Sequence, residues 1–408
     1  MRTRHGVSYW LDRYPKARQP SYPRLRGDVE THVAIVGGGL TGCAAACALA
    51  MAGVRVVLLE ADRLAQGSTG GCPGLLRLEP AVPFVSLQER HGLRAARGAW
   101  RAFRRAGLDL AATIRRLKIR CEFVPDAALR VGLTAADERP LKREMAAMRA
   151  AGVEGTWLTP AQLKKETGLT GIGAIRSAGD GYIDPYRVAL GLAAAAAKRK
   201  AAVYEQSPVV AVKKHREGVD VITDGGVVHA QWVVVAANLP PRMFAPLRRH
   251  LRSMETYCVL TDSLPSFVRR EFGRSRAILI DRESPAHILR RTTDDRLLGM
   301  GADQARLPPR ANQKAVVQRT GQLMYEVSRL YPALSGVKPE YGWSVPVSAP
   351  SDGLPVIGPH RLYPRHLFVL GLGHSGIGAA WLAARALVRH CQGTATKEDE
   401  FFGFSRLR

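Results

Sequence analysis

The sequence is short of cysteine, of long apolar runs and of acidic residues, and each shortage excludes something. The 408 residues include six cysteines, and none of them lies in a Cys-x-x-Cys pair or at zinc spacing from a histidine. We therefore predict neither a metal site nor a disulfide framework. The longest apolar stretch, Cys43 to Val54, is too short to cross a bilayer. The polar start from Met1 to His5 lacks the apolar centre of a signal peptide, which predicts a cytoplasmic protein.

Acidic residues number 35 against 60 lysines and arginines, which gives a net charge of +25. Such a surface attracts anions, including small acids and nucleic-acid phosphates. No run of five or six consecutive basic residues occurs, so the excess is more typical of an ordinary solvated surface than of a specific anionic partner. Hydrophobic residues make up 46% of the chain, which excludes global disorder.

Local sequence signals predict an irregular N-terminal arm, a βαβ unit, a mainly helical stretch and a strand-rich stretch. Prolines mark the arm, and β-branched runs mark the strands. Asp184 followed by Pro185 is typical of a helix start. In chain order, the segments are the arm at 1–30, the βαβ unit at 32–60, the helical stretch at 90–170, the strand-rich stretch at 202–303, a strand at 367–370 and a last helix at 377–391.

A glycine-rich turn lies between the first predicted strand and the first predicted long helix. Residues Gly37 to Gly42 match G-x-G-x-x-G in the context that dinucleotide binding requires. Gly37 permits the tight turn, Gly39 lets the backbone approach a pyrophosphate, and Gly42 lets helix and strand pack closely. Glu60, at the end of the next strand, is placed to accept both hydroxyls of an adenosine ribose. We therefore predict a dinucleotide site.

Two further glycine-rich segments favour a flavin over a nicotinamide. Gln66 to Gly74 form a loop of small residues directly after the βαβ unit. Asp352 to Pro359, followed by Gly371 to Gly378, precede the last helix. Glycines there let the backbone approach a flat ring, and the helix start places positive potential near the carbonyl edge of a flavin.

With these segments the chain resembles the FAD-dependent D-amino-acid-oxidase-like superfamily. Within it, the chain is similar to the branch that contains glycine oxidases, sarcosine oxidases and γ-glutamylputrescine oxidoreductase. The resemblance runs nearly from end to end. Besides the glycine-rich segments, it is carried by Ser8–Trp10, Gly181–Pro185, Trp232–Asn238 and Arg290–Leu298.

The resemblance implies an α/β fold with two interleaved domains. One is a Rossmann-like FAD/NAD(P)-binding domain of the GR2 type, and the other is an α+β substrate domain with an antiparallel sheet. We place the FAD-binding domain at 1–90 (with the arm at 1–30), 175–252 and 345–408, and the substrate domain at 91–174 and 253–344.

The resemblance also implies the residues that contact FAD. They are Gly37, Gly39, Leu40, Thr41, Gly42, Glu60, Ala61, Gly67, Ser68, Thr69, Gly70, Gly71, Val209, Ala236, Ala237, Gly373, His374, Ser375, Gly376, Ile377 and Gly378. We predict noncovalent FAD, because Gly71 and Pro346 stand where relatives carry a flavin-linked histidine or cysteine. A thioether from Cys72 is the less favoured alternative.

A flavin oxidises a neutral amine whose α-C–H lies near flavin N5, so the protein mainly positions the substrate. Arg290 either binds a substrate carboxylate bidentately or is an ordinary arginine on a sheet surface. Tyr257 and Trp343 are either core aromatics or part of a lid. The position of His374 between two glycines favours a cofactor contact over a role as general base. The candidate substrate-positioning residues are Arg290, Tyr257, His287, Trp343 and His374.

Two departures from the family pattern leave the substrate and the electron acceptor open. Glycine and D-amino-acid oxidases have a carboxylate-binding arginine shortly before the Asp-Gly-Leu-Pro segment, and Trp343 to Pro350 contain none. Sarcosine-type oxidases use an oxygen-activating lysine over the flavin, and no lysine occurs between 281 and 313.

We predict an FAD-dependent amine or amino-acid oxidase or dehydrogenase. It transfers hydride from the α-carbon of a small molecule to flavin N5, and the imine product then hydrolyses. The positive charge favours a substrate that carries a carboxylate. Two alternatives stay open: an FAD enzyme that acts on a modified tRNA base, which a charge of +25 suits, and a noncatalytic flavin-binding partner protein.

Overall fold

The computed structural model describes residues 3–283 and 286–407, which form two β-sheets with helices around them. The strands are β1 (Arg4–His5), β2 (Val29–Val36), β3 (Val56–Leu59), β4 (Leu75–Leu76), β5 (Val124–Gly132), β6 (Thr156–Leu158), β7 (Gly173–Tyr182), β8 (Ala202–Tyr204), β9 (Val209–Lys214), β10 (Val219–Thr223), β11 (Val227–Val235), β12 (Arg252–Thr261), β13 (Ile278–Ile280), β14 (Ile288–Arg291), β15 (Leu297–Ala305), β16 (Pro339–Ala349), β17 (Val356–His360) and β18 (Tyr363–Leu370). The helices are α1 (Tyr9–Arg13), α2 (Leu40–Met51), α3 (Ser68–Gly71), α4 (Phe84–His91), α5 (Leu93–Arg116), α6 (Glu138–Ala150), α7 (Pro160–Thr167), α8 (Pro185–Ala197), α9 (Ser266–Glu271), α10 (Pro309–Leu330), α11 (Gly376–Cys391) and α12 (Lys397–Phe401).

The smaller, eight-stranded sheet has a parallel core in the order β18-β11-β2-β3-β8. Its side chains, such as Val33, Ile35 and Leu58, are fully buried, as expected for parallel strands covered on both faces. β17 pairs antiparallel with β18, and β9 and β10 extend the sheet beside β11. α2 packs against α8 and α11, and its alanines and cysteines are small enough to permit this close packing.

The larger, ten-stranded sheet is mainly antiparallel, in the order β1-β16-β12-β15-β14-β13-β5-β7-β4 with β6 beside β7. α10 packs across β12, β15 and β16. We call the face under α10 the helix face; it carries Tyr257 and Val259. We call the opposite face the cavity face; it carries Cys258 and Met300, because successive residues of a strand point to opposite sides.

This mixed architecture confirms the predicted α/β fold class. The helix start at Asp184 and Pro185 is also confirmed: the Arg187 N–H donates to Asp184 Oδ1 at 2.9 Å, and Pro185 is the first helical residue. The expectation that 90–170 is mainly helical is confirmed by α5, α6 and α7, and the stretch also contains the strands β5 and β6. β5 contains Pro125, and its apolar and polar residues alternate poorly, so its sequence does not indicate a strand. Pairing with β7 and β13 specifies the strand instead.

The predicted domain boundaries fall within strands of the larger sheet. Position 175 lies inside β7 and position 345 lies inside β16, and the first predicted FAD-binding segment includes β1 and β4 of that sheet. The division into two domains stays a prediction. The N-terminal arm, predicted to be irregular, contains the short helix α1, in which Tyr9 and Trp10 are buried.

Within 3–283 and 286–407, no helix combines the length and apolar character needed to span a bilayer.

Candidate functional site

A cavity of about 350 Å³ lies between the carboxyl ends of the parallel strands and the larger sheet. This is the edge at which open parallel sheets bind ligands. The cavity is lined by residues that follow β2, β3, β11 and β18, and by residues of β15 and β16. The lining residues are Gly37, Gly39, Leu40, Thr41, Glu60, Ala65, Gly67, Ser68, Thr69, Cys72, Pro73, Ala236, Ala237, Asn238, Met300, Val345, Pro346, Val347, Leu372, Gly373, His374, Gly376 and Ile377.

The first glycine-rich turn connects β2 to α2 and leaves no room for side chains at two positions. Gly37 has a φ of +106°, and a Cβ there would lie 2.7 Å from the Ala236 carbonyl oxygen. A Cβ on Gly42 would lie 1.8 Å from the Gly37 carbonyl oxygen. Only glycine permits this conformation and this approach of α2 to the turn. Gly37 lines the cavity, whereas Gly42 lies behind the turn.

Hydrogen bonds hold Glu60 and Thr69 against this turn. The Gly38 N–H donates to Glu60 Oε2 at 2.6 Å, and the Leu40 N–H donates to Thr69 Oγ1 at 2.8 Å. Among the described residues, the N–H groups of Gly39 and Thr41 donate to no acceptor. The start of α2 therefore offers free donors and positive potential to a phosphate.

The loop after the βαβ unit turns only part of its backbone toward the cavity. Gly67, Ser68 and Thr69 line it. The Gly70 carbonyl accepts from the Ser8 hydroxyl, and the Gly71 carbonyl accepts from Trp343 Nε1 at 2.8 Å. These two predicted cofactor residues thus contact neighbouring segments rather than the cavity.

Cys72 also lines the cavity, and burial raises the pKa of its thiol to about 11. The thiol is therefore protonated at neutral pH, and a thiol is a far weaker nucleophile than a thiolate.

The last glycine-rich turn leads from β18 to α11. Gly373, His374, Gly376 and Ile377 line the cavity. The Ser375 hydroxyl instead donates to the Glu79 carbonyl at 3.0 Å. A Cβ on Gly378 would lie 2.7 Å from the Arg77 carbonyl oxygen, so this glycine permits close packing against β4 and the segment that follows it.

The structure thus brings together fourteen of the predicted cofactor residues. Seven others lie outside the cavity lining: Gly42, Ala61, Gly70, Gly71, Val209, Ser375 and Gly378. Ala61 is exposed beyond the end of β3, and Val209 lies at the start of the peripheral strand β9. Contact of any of these residues with FAD stays a prediction.

Two predicted substrate residues lie on the helix face, away from the cavity. Tyr257 Oη donates to Asn312 Oδ1 of α10 at 2.9 Å. His287 lies 2.7 Å from Asp281 through Nδ1 and 2.8 Å from Glu326 of α10 through Nε2. The Asp281 hydrogen bond is the main cause of a His287 pKa raised to about 9.

The other three predicted substrate residues lie on the cavity side. Trp343 is buried, and its Nε1 donates a hydrogen bond to the Gly71 carbonyl. His374 lines the cavity. Arg290 is 2% exposed, and its guanidinium lies 4.1 Å from the ring centroid of Tyr182. Within the described part of the chain its Nε and one terminal nitrogen have no hydrogen-bond partner, and burial lowers its pKa to about 10.

Sequence reasoning missed part of the cavity wall. Asn238 bridges two segments, since its Nδ2 donates to the Pro346 carbonyl at 2.8 Å and to Ser68 Oγ at 3.2 Å. Asn238 is the last residue of the Trp232–Asn238 segment that carries the family resemblance, so the sequence offered a signal by which it could have been predicted. Met300 of β15 also lines the cavity, and its sequence carries no such signal. Besides Cys72, which the sequence raised only as an alternative, the lining residues absent from the predicted set are Ala65, Pro73, Asn238, Met300, Val345, Pro346, Val347 and Leu372.

The described residues contain no group of three or more His, Cys, Asp or Glu side chains placed to hold a metal ion. All six cysteines are free thiols.

Comparison with known proteins identifies the family. A family model described as "FAD dependent oxidoreductase" matches residues 32–390. The chain is 26% identical to the gamma-glutamylputrescine oxidoreductase of Escherichia coli (strain K12) over 98% of this chain and 92% of that protein. Among solved structures, glycine oxidase from Geobacillus kaustophilus superimposes with a TM-score of 0.73 and 22% identity, over 90% of this chain and 96% of that one. L-amino acid deaminase from Proteus vulgaris does so with a TM-score of 0.76 and 16% identity, over 97% and 99%.

These matches cover most of the chain and include both glycine-rich turns of the cavity. They confirm the family resemblance and the FAD cofactor that the sequence predicts. The protein therefore belongs to the FAD dependent oxidoreductase family.

Proposed function

We propose that the protein oxidises the C–N bond of a small amine or amino acid that carries a carboxylate, with FAD held noncovalently in the cavity. The observation that carries this proposal is the cavity itself. It joins the dinucleotide turn on one side to an antiparallel sheet on the other. A flavin enzyme needs such a pair of walls, one to hold the cofactor and one to position the substrate.

The cavity residues fit FAD. The free N–H groups at the start of α2 suit the pyrophosphate. Each oxygen of Glu60 accepts one backbone hydrogen bond, from Gly38 or from Asp62, and keeps a lone pair for a ribose hydroxyl. Bound there, FAD supplies the two-electron acceptor of the reaction. The raised thiol pKa of Cys72 disfavours a covalent link.

Arg290 supports a substrate with a carboxylate. Its strand neighbour Ile288 pairs with Met300, which lines the cavity, and Ile288 and Arg290 share one face of β14. Burying two guanidinium nitrogens that lack acceptors among the described residues is costly, and a carboxylate supplies two acceptors in bidentate geometry. Arg290 lies outside the cavity lining, against Trp10 and Tyr182, so the proposed substrate site would reach from the cavity toward these two rings.

Anaerobic absorbance of the purified protein tests the proposal. The panel contains N-methyl amino acids, D-amino acids, proline, glycine and γ-glutamylated polyamines. We expect one carboxylate-bearing class to bleach the flavin band. Return of the band on admitting air would identify an oxidase, and a bleached band in air would identify a dehydrogenase. A band that no amine bleaches would contradict the proposal and favour a noncatalytic flavin-binding role.

Substitution of two neighbouring arginines distinguishes carboxylate binding by Arg290 from a general effect of removing one positive charge. Arg290→Met removes the cavity-face guanidinium, and Arg291→Met removes one from the opposite face of β14. Loss of a charged hydrogen-bonding partner is expected to raise KM by about 10- to 100-fold in the Arg290 variant for a carboxylate-bearing amine. The Arg291 variant and amines without a carboxylate should show little change. Equal KM values in all variants would assign Arg290 a purely structural role.

One surface feature favours the second candidate, oxidation of an amine group on a tRNA base. A groove of about 620 Å³ lies between the N-terminal arm and the ends of α5 and α8. Within the described chain, its lining includes no acidic residue. Phosphates are attracted to such a surface. The groove contains six exposed cations: Arg18, Arg116, Lys118, Arg120, Lys198 and Arg199.

Filter binding of unfractionated tRNA at low and high salt tests this candidate. Contacts with six phosphates would weaken binding by about 1,000-fold between 50 and 200 mM salt. A Lys118→Glu/Arg120→Glu variant should then lose most of that affinity, whereas Arg63→Glu, which lies outside the groove, should not. Absence of binding at low salt would eliminate the candidate.

A further inference from the structure

His374 belongs to a hydrogen-bonded series that connects the last glycine-rich turn to the larger sheet. Its Nε2 lies 3.1 Å from Asp303 Oδ2 on β15, and Thr256 Oγ1 on β12 donates to Asp303 Oδ1 at 2.8 Å. The Thr256 residue is fully buried, and the Asp303 side chain is 7% exposed. The His374 side chain is 28% exposed and lines the cavity.

A bulge in β15 places Asp303 on the cavity face. Ala302 has a φ of +53°, and the pairing with β12 shifts register between Glu255 and Tyr257. In a regular strand Met300 and Asp303 would point to opposite faces. The extra residue of a bulge reverses the alternation, so both side chains reach the same side. The hydrogen bond between Asp303 and Thr256 is consistent with this placement of Asp303, because Thr256 and Cys258 share the cavity face of β12.

Asp303 fixes which nitrogen of His374 carries the proton. A carboxylate only accepts hydrogen bonds, so Nε2 of the neutral ring carries the proton. Nδ1 then has a free lone pair, and among the described residues it makes no hydrogen bond. Asp303 is the one charged side chain that pairs with His374 in that part of the chain. Thr256 is neutral, and the buried Arg77–Glu79 pair contacts this turn through the Glu79 carbonyl and Ser375.

We propose that His374 takes the proton from the substrate ammonium and that Asp303 is its positioning residue. This inference rests on the proposed amine oxidation. An amine donates hydride only in its neutral form. In the proposed step, the ammonium N–H bond breaks, a bond from the proton to Nδ1 forms, and the nitrogen keeps the electron pair. The α-C–H hydride is then transferred to FAD. Asp303 stabilises the imidazolium, as the buried carboxylate of a catalytic triad does.

The pH dependence of flavin reduction tests the proton transfer. General-base catalysis contributes about 100-fold or more. At pH 7, His374→Gln and Asp303→Asn are therefore expected to slow anaerobic flavin reduction by about 100- and 10-fold. Near pH 10.5, where an alkylamine is about half neutral, both losses should shrink to less than about threefold. Asp220→Asn is the matched control, since Asp220 lies 2.7 Å from His229 on the exposed β10–β11 pair.

The variants separate this inference from the proposed function. If no amine reduces the flavin of the unaltered protein, the proposed function fails. If it does and both variants keep its rate at pH 7, His374 is not the base. A loss that persists unchanged at pH 10.5 also overturns the inference, because it reflects damage to binding rather than proton transfer.

The tautomer of His374 gives a readout that does not depend on turnover. Long-range ¹H–¹⁵N spectra of histidine-labelled protein, assigned with the His374→Gln variant, should show protonated Nε2 and unprotonated Nδ1. Asp303→Asn should convert this signal to a mixture of tautomers. An Nδ1-protonated ring, or an unchanged spectrum in the Asp303 variant, would refute the positioning role.

Discussion

The pair of carboxylates around His287 predicts a pH-dependent contribution to stability. His287 is hydrogen-bonded on both sides, by Asp281 and by Glu326. Its pKa is raised to about 9, against about 6.5 for an unperturbed histidine. Each unit corresponds to about 1.4 kcal/mol, so the protonated ring stabilises the folded state by about 3 kcal/mol. The His287 side chain is 16% exposed, which limits screening by solvent.

The sign follows from the two pKa values. The folded protein holds the proton more tightly than the unfolded chain, so the full contribution is present below pH 6.5. It decreases as the pH rises and is lost above pH 9. His287→Gln should therefore lower the free energy of unfolding by about 3 kcal/mol more at pH 6 than at pH 10.

Urea unfolding at both pH values measures this difference. Asp220→Asn is the control, because the His229 and Asp220 side chains are 45% and 32% exposed and such pairs contribute less than about 1 kcal/mol. Flavin content and the rate of flavin reduction should be unchanged in His287→Gln, since the ring lies on the helix face. A loss of stability that is the same at both pH values would refute the electrostatic argument. A slower flavin reduction in His287→Gln would show that His287 has a role in the reaction.

Three further predictions follow from the same contacts. Acid precipitation should release all FAD into the supernatant, and the Cys72→Ser variant should keep its flavin, because the protonated thiol forms no link; flavin that stays with the pellet would contradict this. Gly42→Ala should yield flavin-free or insoluble protein, because its Cβ would lie 1.8 Å from the Gly37 carbonyl oxygen. Gly53→Ala is the control. This position has a positive φ but open space around it, so the variant should keep its flavin. Burial, together with the nearby Glu79, raises the pKa of Asp180 to about 6. Ionisation of this carboxyl therefore lowers the stability of the folded protein as the pH rises from about 4 to 6. Asp180→Asn should remove that pH dependence in thermal melts.

The local parts of the site could be predicted from the sequence. The Gly37–Gly42 turn, Glu60 and the start of α8 depend on short-range chemistry: a positive φ, a carboxylate after a strand, an aspartate before a proline. Each is visible in a few consecutive residues. The cavity lining at these positions agrees with that expectation.

The sheet wall could not be predicted, because strand side chains alternate between two faces. Tyr257 and His287 stand one residue away from positions on the cavity face, and the register that turns them toward α10 depends on pairing with distant strands. Asp303 reaches the cavity face only through the bulge at Ala302. No local signal distinguished these cases.

In the described part of the chain, unpaired nitrogens occur on both sides of the larger sheet, including Arg291 Nε and Arg319 Nε on the side of α10, and those of the more deeply buried Arg290 support the proposed substrate site. On the helix face, Tyr257 and His287 have protein partners for their polar atoms. On the cavity side, two buried nitrogens of Arg290 have no hydrogen-bond partner among the described residues. Buried polar groups in folded proteins are nearly always hydrogen-bonded. A substrate carboxylate would supply the acceptors that Arg290 lacks among the described residues, which is why this residue carries the proposed substrate preference.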